Sequence, residues 1–215
     1  MASKPSTDIN LGDVNAIPPG ILSNGRRRIW SPASNDWIVF EKYGCETNGR
    51  YTLAHMSLAP SGKNKAHYHR SFSETFTALK GTLGLYSKVR GGRFTLEPGE
   101  SYTISPGEVH YFFNPSDQDE IEARCRIEPA HEGFEKGLYV AYGLARDGKC
   151  GAEGVPLNPL NLAVMMTMSD IWLPGLVGVV LMPFMAMLMW IAGLMGVERN
   201  LVQTYWVEDG GKKQS

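Results

Sequence analysis

The stretch His67-Tyr68-His69-Arg70-Ser71-Phe72-Ser73-Glu74-Thr75-Phe76-Thr77-Ala78-Leu79-Lys80-Gly81 decides how the chain folds. Read as strand, turn and strand, it places His67 and His69 two residues apart, so both imidazoles leave one face of a sheet. Arg70-Ser71-Phe72-Ser73 makes the turn, and Glu74 opens the next strand. His110 opens another strand after the tight turn Ser105-Pro106-Gly107. Three imidazoles and one carboxylate converging from neighbouring strands form an N₃O donor set for one divalent metal ion: iron, manganese, nickel or zinc. By the same alternation, Phe76 and Phe112 share the metal-facing side and form an apolar pocket wall. Tyr86 and Tyr102, with Arg124 and Arg126, are the further pocket candidates.

Outward from this stretch, short apolar runs alternate with Gly, Pro, Asn and Ser punctuation. They fall at 37–40, 51–54, 75–79, 84–87, 93–96, 101–104, 109–113 and 121–127, which predicts a mainly β sandwich or barrel over 30–130. Gly91-Gly92 reads as a hairpin turn. No phosphate loop, dinucleotide fingerprint, G-x-S-x-G or H-E-x-x-H occurs, which argues against a dehydrogenase with its own nicotinamide domain. Residues 1–29 read as a polar arm lying over the domain, with Arg26-Arg27-Arg28 as a solvated basic run. From 131 to 170 the pattern is helical. Phe134, Leu138, Ala141 and Ala145 share a stripe that ends at Asp147-Gly148, and Asn158-Pro159 caps a second helix running to Asp170.

The two histidine segments resemble the paired motifs of the cupins. The first, G-x₅-H-x-H-x₃₋₄-E-x₆-G, is met by His67, His69, Glu74 and Gly81; Ser61 stands at the leading glycine, with Gly62 next to it. The second, G-x₅-P-x-G-x₂-H-x₃-N, is met by Gly99, Gly107, His110 and Asn114; Ser105 stands at the proline, with Pro106 beside it. The resemblance covers about 37–128. It implies a double-stranded β-helix, or jelly-roll, followed by C-terminal helices. It also implies a metal centre of His67, His69, Glu74 and His110 acting on a small-molecule substrate. Small cupins of similar appearance accompany biosynthetic pathways, including fungal polyketide clusters, so the expected activity is a metal-dependent oxidoreductase of dioxygenase type in secondary metabolism. The alternatives are an isomerase or cyclase using the metal as a Lewis acid, and a non-catalytic ligand-binding cupin.

With 21 basic and 22 acidic side chains among 215 residues, the chain is not an overall basic nucleic-acid binder. Cys45, Cys125 and Cys150 are odd in number and unrelated in spacing, which predicts a reducing compartment and no disulfide framework. The cysteines read as bland rather than nucleophilic. The N-terminus lacks an apolar run, so no secretory signal is expected. One segment departs from this picture: 171–197 is 27 residues without a charged side chain, followed by a polar tail at 198–215. That length predicts a single membrane span with the barrel in the cytosol, although Pro174, Pro183 and four glycines would kink it. The other readings are a segment lying in the membrane surface, and a soluble cytoplasmic protein with the segment packed on the barrel or buried between the subunits of a homodimer.

Overall fold

The computed structural model describes residues 28–151 and 154–208. Arg26, Arg27, most of the N-terminal arm and the end of the polar tail lie outside the described residues. Among the described residues, nine strands, with a 3-10 turn at Gly44–Thr47 between the second and third, precede four α-helices. The strands are β1 (Arg28–Ser31), β2 (Asp36–Lys42), β3 (Thr52–Leu58), β4 (Ser73–Lys80), β5 (Leu83–Ser87), β6 (Gly92–Leu96), β7 (Ser101–Ile104), β8 (His110–Phe113) and β9 (Ile121–Glu128). They pair antiparallel into a six-stranded sheet, β1-β2-β3-β9-β4-β7, and a three-stranded sheet, β6-β5-β8. The helices are α1 (Glu132–Arg146), α2 (Pro159–Met168), α3 (Gly175–Leu194) and α4 (Val197–Val202), with a π-helical segment at Gln203–Glu208.

Two expectations need correcting. The sheets face each other without closing into a barrel. Strand and helix are about equally represented among the described residues, so the chain is not mainly β. The reason is the long apolar C-terminal part, which folds as helices, the first of them packed on the core residues of the sheets.

Register explains where the core sits. Ala54, Met56 and Leu58 of β3 lie opposite Cys125, Ala123 and Ile121 of β9, and Phe76 and Ala78 of β4 lie opposite Cys125 and Ala123. These are alternate steps of a period-two pattern, so this face of the large sheet is mostly apolar, with Glu74 and Thr52 among its buried polar members. It buries against Leu83 and Leu85 of β5, and the cluster includes Phe40, Phe72 and Ile104. The intervening steps face outward. There Arg124 pairs with Glu41 at 2.8 Å, and Arg126 sits 4.0 Å over Tyr51, so neither lines a pocket.

The face of α1 that turns inward is broader than the predicted stripe. Phe134, Leu138, Tyr139 and Tyr142 pack against the sheet core, while Val140 and Leu144 pack against the later helices. Both predicted caps form: Asn158 Oδ1 accepts from the Leu160 N–H at 2.8 Å, and Asp147 ends α1. Arg28 belongs to β1 and lies over the Trp37 ring at 4.1 Å rather than in a solvated run.

The uncharged segment divides. Residues 171–174 are not helical, and α3 begins only at Gly175. By length and composition α3 could cross a membrane. Its Gly178, Met185, Leu188 and Ala192 are nevertheless buried, the last three within clusters shared with α2 and α1.

Candidate metal centre

His67 lies just before the second strand of its motif and is tied across to β8. Its N–H donates to the His110 carbonyl at 3.0 Å, and the His110 N–H donates to the His67 carbonyl at 2.9 Å. Glu74 is the second residue of β4, and His110 opens β8. The donor atoms of His67, His69, Glu74 and His110 all lie within 4.8 Å of one another. His69, Glu74 and His110 are buried, and His67 is half-buried at the rim.

Each imidazole is oriented from behind. His67 Nδ1 lies 2.7 Å from the Lys65 carbonyl, His69 Nδ1 3.0 Å from the Asp170 carbonyl, and His110 Nδ1 2.9 Å from the Glu108 carbonyl. A carbonyl only accepts, so each Nδ1 carries the proton and each Nε2 turns a lone pair to the centre. There, His67 Nε2 and His69 Nε2 are 3.1 Å apart. His110 Nε2 is 2.7 Å from Glu74 Oε2 but not aligned for a hydrogen bond, and both atoms are buried without a hydrogen-bond partner. Buried lone pairs turned toward each other call for a cation between them. The donor set therefore fits a divalent metal ion.

The electrostatics agree for His67 and Glu74. Burial, then the His110 and His69 imidazoles, pulls His67 down to about 3, so it is neutral. Burial pushes Glu74 upward, but His69 and His110 outweigh it and hold the carboxyl well below its usual range. Burial would lower His69, yet the Glu74 carboxylate raises it.

The two departures from the motif have local reasons. Ser61 takes the left-handed conformation its glycine would take, with φ of +57°. Ser105 to Glu108 form a turn with Pro106 followed by Gly107 at φ +80°, the order a type II turn favours. The Ser105 N–H donates to Glu108 Oε2 at 3.0 Å, a bond that a proline could not make. The Gly107 N–H donates to the His69 carbonyl at 2.6 Å and so ties this turn to the first motif.

The pocket candidates separate. Phe76 and Phe112 are together at 5.5 Å, and Phe76 is 6.4 Å from the His110 ring. Tyr102 is opposite Phe76 on the inner face, packs on Phe94 at 4.9 Å and reaches Glu108 Oε1 at 3.5 Å. Tyr86 is a correction: it pairs with Tyr111, stacks on it at 4.9 Å, and faces outward because β5 turns Leu85 and Ser87 inward.

Three neighbours escaped the sequence reading. Phe72 stacks on His69 at 4.5 Å. Cys125 Sγ lies 3.7 Å from Glu74 Oε1, and burial followed by the Glu74 charge holds its thiol well up, which keeps it protonated. Asp170, in the left-handed region at φ +52°, accepts through Oδ2 from the Arg70 and Ser71 N–H groups, each at 2.7 Å. Its Oδ1 accepts from Trp172 Nε1 at 2.6 Å. Cys125 was legible only as one more apolar alternation, and Asp170 only as a helix end. Apart from the centre, a cavity of about 240 Å³ lies against α2, α3 and residues 170–172, lined by Met166, Met182, Met185, Met189 and Trp172 among others.

The family model for the cupin domain matches residues 54–123, which hold all four clustered residues. Residues 54–123 are a cupin domain. The cupin chain is similar to Germin-like protein 8-2 of Oryza sativa subsp. japonica, 29% identical over 100 residues, 44% of this chain and 45% of that protein. It thus spans less than half the length of that curated relative. Among solved structures, it is similar to the polyketide cyclase RemF from Streptomyces resistomycificus at 20% identity and a TM-score of 0.39. That match covers 43% of this chain and 64% of the other. It is also similar to a cupin-superfamily sugar phosphate isomerase from Silicibacter pomeroyi at 17% identity and a TM-score of 0.42, over 51% and 74% of the two chains. An oxalate oxidase matches at 22% identity and a TM-score of 0.38, over 46% and 53%.

Proposed function

We propose that this cupin is a metal-dependent oxidoreductase acting on a small, largely apolar organic substrate, with His67, His69, Glu74 and His110 holding its metal. One observation carries the reading: three imidazoles with their Nδ1 protons committed to carbonyls turn bare Nε2 atoms toward a buried carboxylate. A bound divalent ion would supply a Lewis acid there, and a redox-active one would also exchange electrons. Glu74, held ionised, offsets one of the ion's two charges. Phe76 and Phe112 exclude water and present an apolar wall to the substrate, which accounts for the predicted preference. Cys125 stays a thiol beside Glu74 and takes no nucleophilic part.

Oxygen consumption with candidate substrates tests the reaction class, after comparing metabolites from cells with and without a working gene. Oxygen uptake coupled to substrate loss, abolished in His110→Ala, is the expected result. Turnover without oxygen would replace the reading with a Lewis-acid isomerase or cyclase, and saturable binding without turnover with a ligand-binding cupin.

A further inference from the structure

Helix α3 has one covered side and one bare side. At 100° per residue, its buried positions fill a narrow arc, and the exposed ones span roughly 200°. Leu176, Val180, Phe184, Met187, Trp190 and Leu194 run along the bare arc, from 46% exposed at Phe184 to 79% at Leu176. No charged side chain occurs from 171 to 197, and the indole N–H of Trp190 is the arc's one side-chain hydrogen-bonding group.

Both ends of α3 return to the same domain. Before it, Trp172 exchanges backbone hydrogen bonds with Tyr68, each 3.0 Å. After it, Leu201 and Tyr205 are buried with Val140 and Leu144 of α1, and the Tyr205 hydroxyl donates to Asp147 at 2.6 Å. A spanning helix needs its ends on opposite sides of roughly 30 Å of hydrocarbon, with lipid all around its middle. Here α2 covers the middle, so the span expected from sequence does not suit this fold.

We infer that α3 lies in the plane of a lipid bilayer surface, with its bare arc immersed among the acyl chains and the cupin domain seated above. A second copy of the chain fits the arc less well. A partner helix covers a seam of roughly 100° and would leave half the arc in water. A stable protein interface also draws roughly 800 Å² from each partner and carries a polar rim with hydrogen bonds, for which this arc has one donor. A lipid surface covers the whole arc and asks for none. The domain above takes the place of the polar face that surface-lying helices present to water.

Flotation of the purified full-length chain with phosphatidylcholine vesicles tests this inference. The wild type should float, and Val180→Glu/Met187→Glu should reduce the bound fraction roughly tenfold or more. Circular dichroism and metal content should not change, since both positions are exposed. Depth is read with brominated lipids in Phe184→Trp/Trp190→Phe, against Trp190→Phe as background. Quenching should be strongest with bromines near the top of the acyl chains. A maximum at the chain ends would mean a span and overturn the inference. So would a wild type that never floats, or a lipid-free dimer that the double glutamate variant converts to monomer.

Discussion

His69 is held from three directions: its Nδ1 by the Asp170 carbonyl, its own carbonyl by the Gly107 N–H, and its ring by Phe72. Asp170 also fixes the turn that follows His69, because its carboxylate accepts the Arg70 and Ser71 N–H groups. Asp170→Ala should therefore leave the sheets intact but weaken metal binding by about 10- to 100-fold, the usual effect of losing a ligand's supporting partner. Competition titration against a chromogenic chelator measures it, and unchanged affinity would show that the turn holds itself. Ser105 gives a second test. Restoring the motif's proline with Ser105→Pro removes an N–H that bonds the buried Glu108, and should cost about 1–3 kcal/mol in urea unfolding. A neutral or stabilising result would mean that the Glu108 carboxylate finds another donor. The four clustered residues were legible in sequence because motif spacing is backbone geometry: period two in the strands, and fixed lengths in the turns. Tyr86, Arg124 and Arg126 were not, because which parity of a strand faces inward depends on its partner's register.

At the scale of elements, α1 is fastened to the sheet by one buried carboxylate. Glu135 Oε1 accepts from the Gly44 N–H at 2.7 Å and from Thr52 Oγ1 at 2.6 Å. Burial pushes its carboxyl above the ordinary 4.5 despite these bonds. A carboxyl whose folded pKa is raised favours folding fully below its unfolded pKa and loses that contribution as pH rises through the folded value. The stability of wild type minus that of Glu135→Gln should accordingly be greatest below about pH 4.5 and decline above it. Urea denaturation at several pH values reads the difference; a rise with pH would contradict the assigned direction. The cap at Asn158 was readable from the sequence because an N-cap is a local bond between a side chain and the nearest N–H, and the end of α1 because Gly148 takes the left-handed conformation. The inner face of α1 was only half readable. A helix sandwiched between a sheet and other helices buries two faces, and a single apolar stripe describes only one.

For the whole molecule, the sequence announced a β-barrel over 30–130, which the chain realises as two facing sheets, and helices after 131, but not that the helices close back on the metal segment. The pairing of Trp172 with Tyr68 joins residues about a hundred positions apart, and no local pattern encodes it. For the same reason the uncharged segment read as a separate span, whereas it packs along α2 and returns to α1. The central claim remains that the folded cupin gathers His67, His69, Glu74 and His110 around one divalent ion. Elemental analysis of the full-length protein, purified without chelator, measures this most directly. The account predicts close to one equivalent of iron, manganese, nickel or zinc per chain, with most of it lost in His69→Ala. Full metal content retained in His67→Ala/His69→Ala would contradict it.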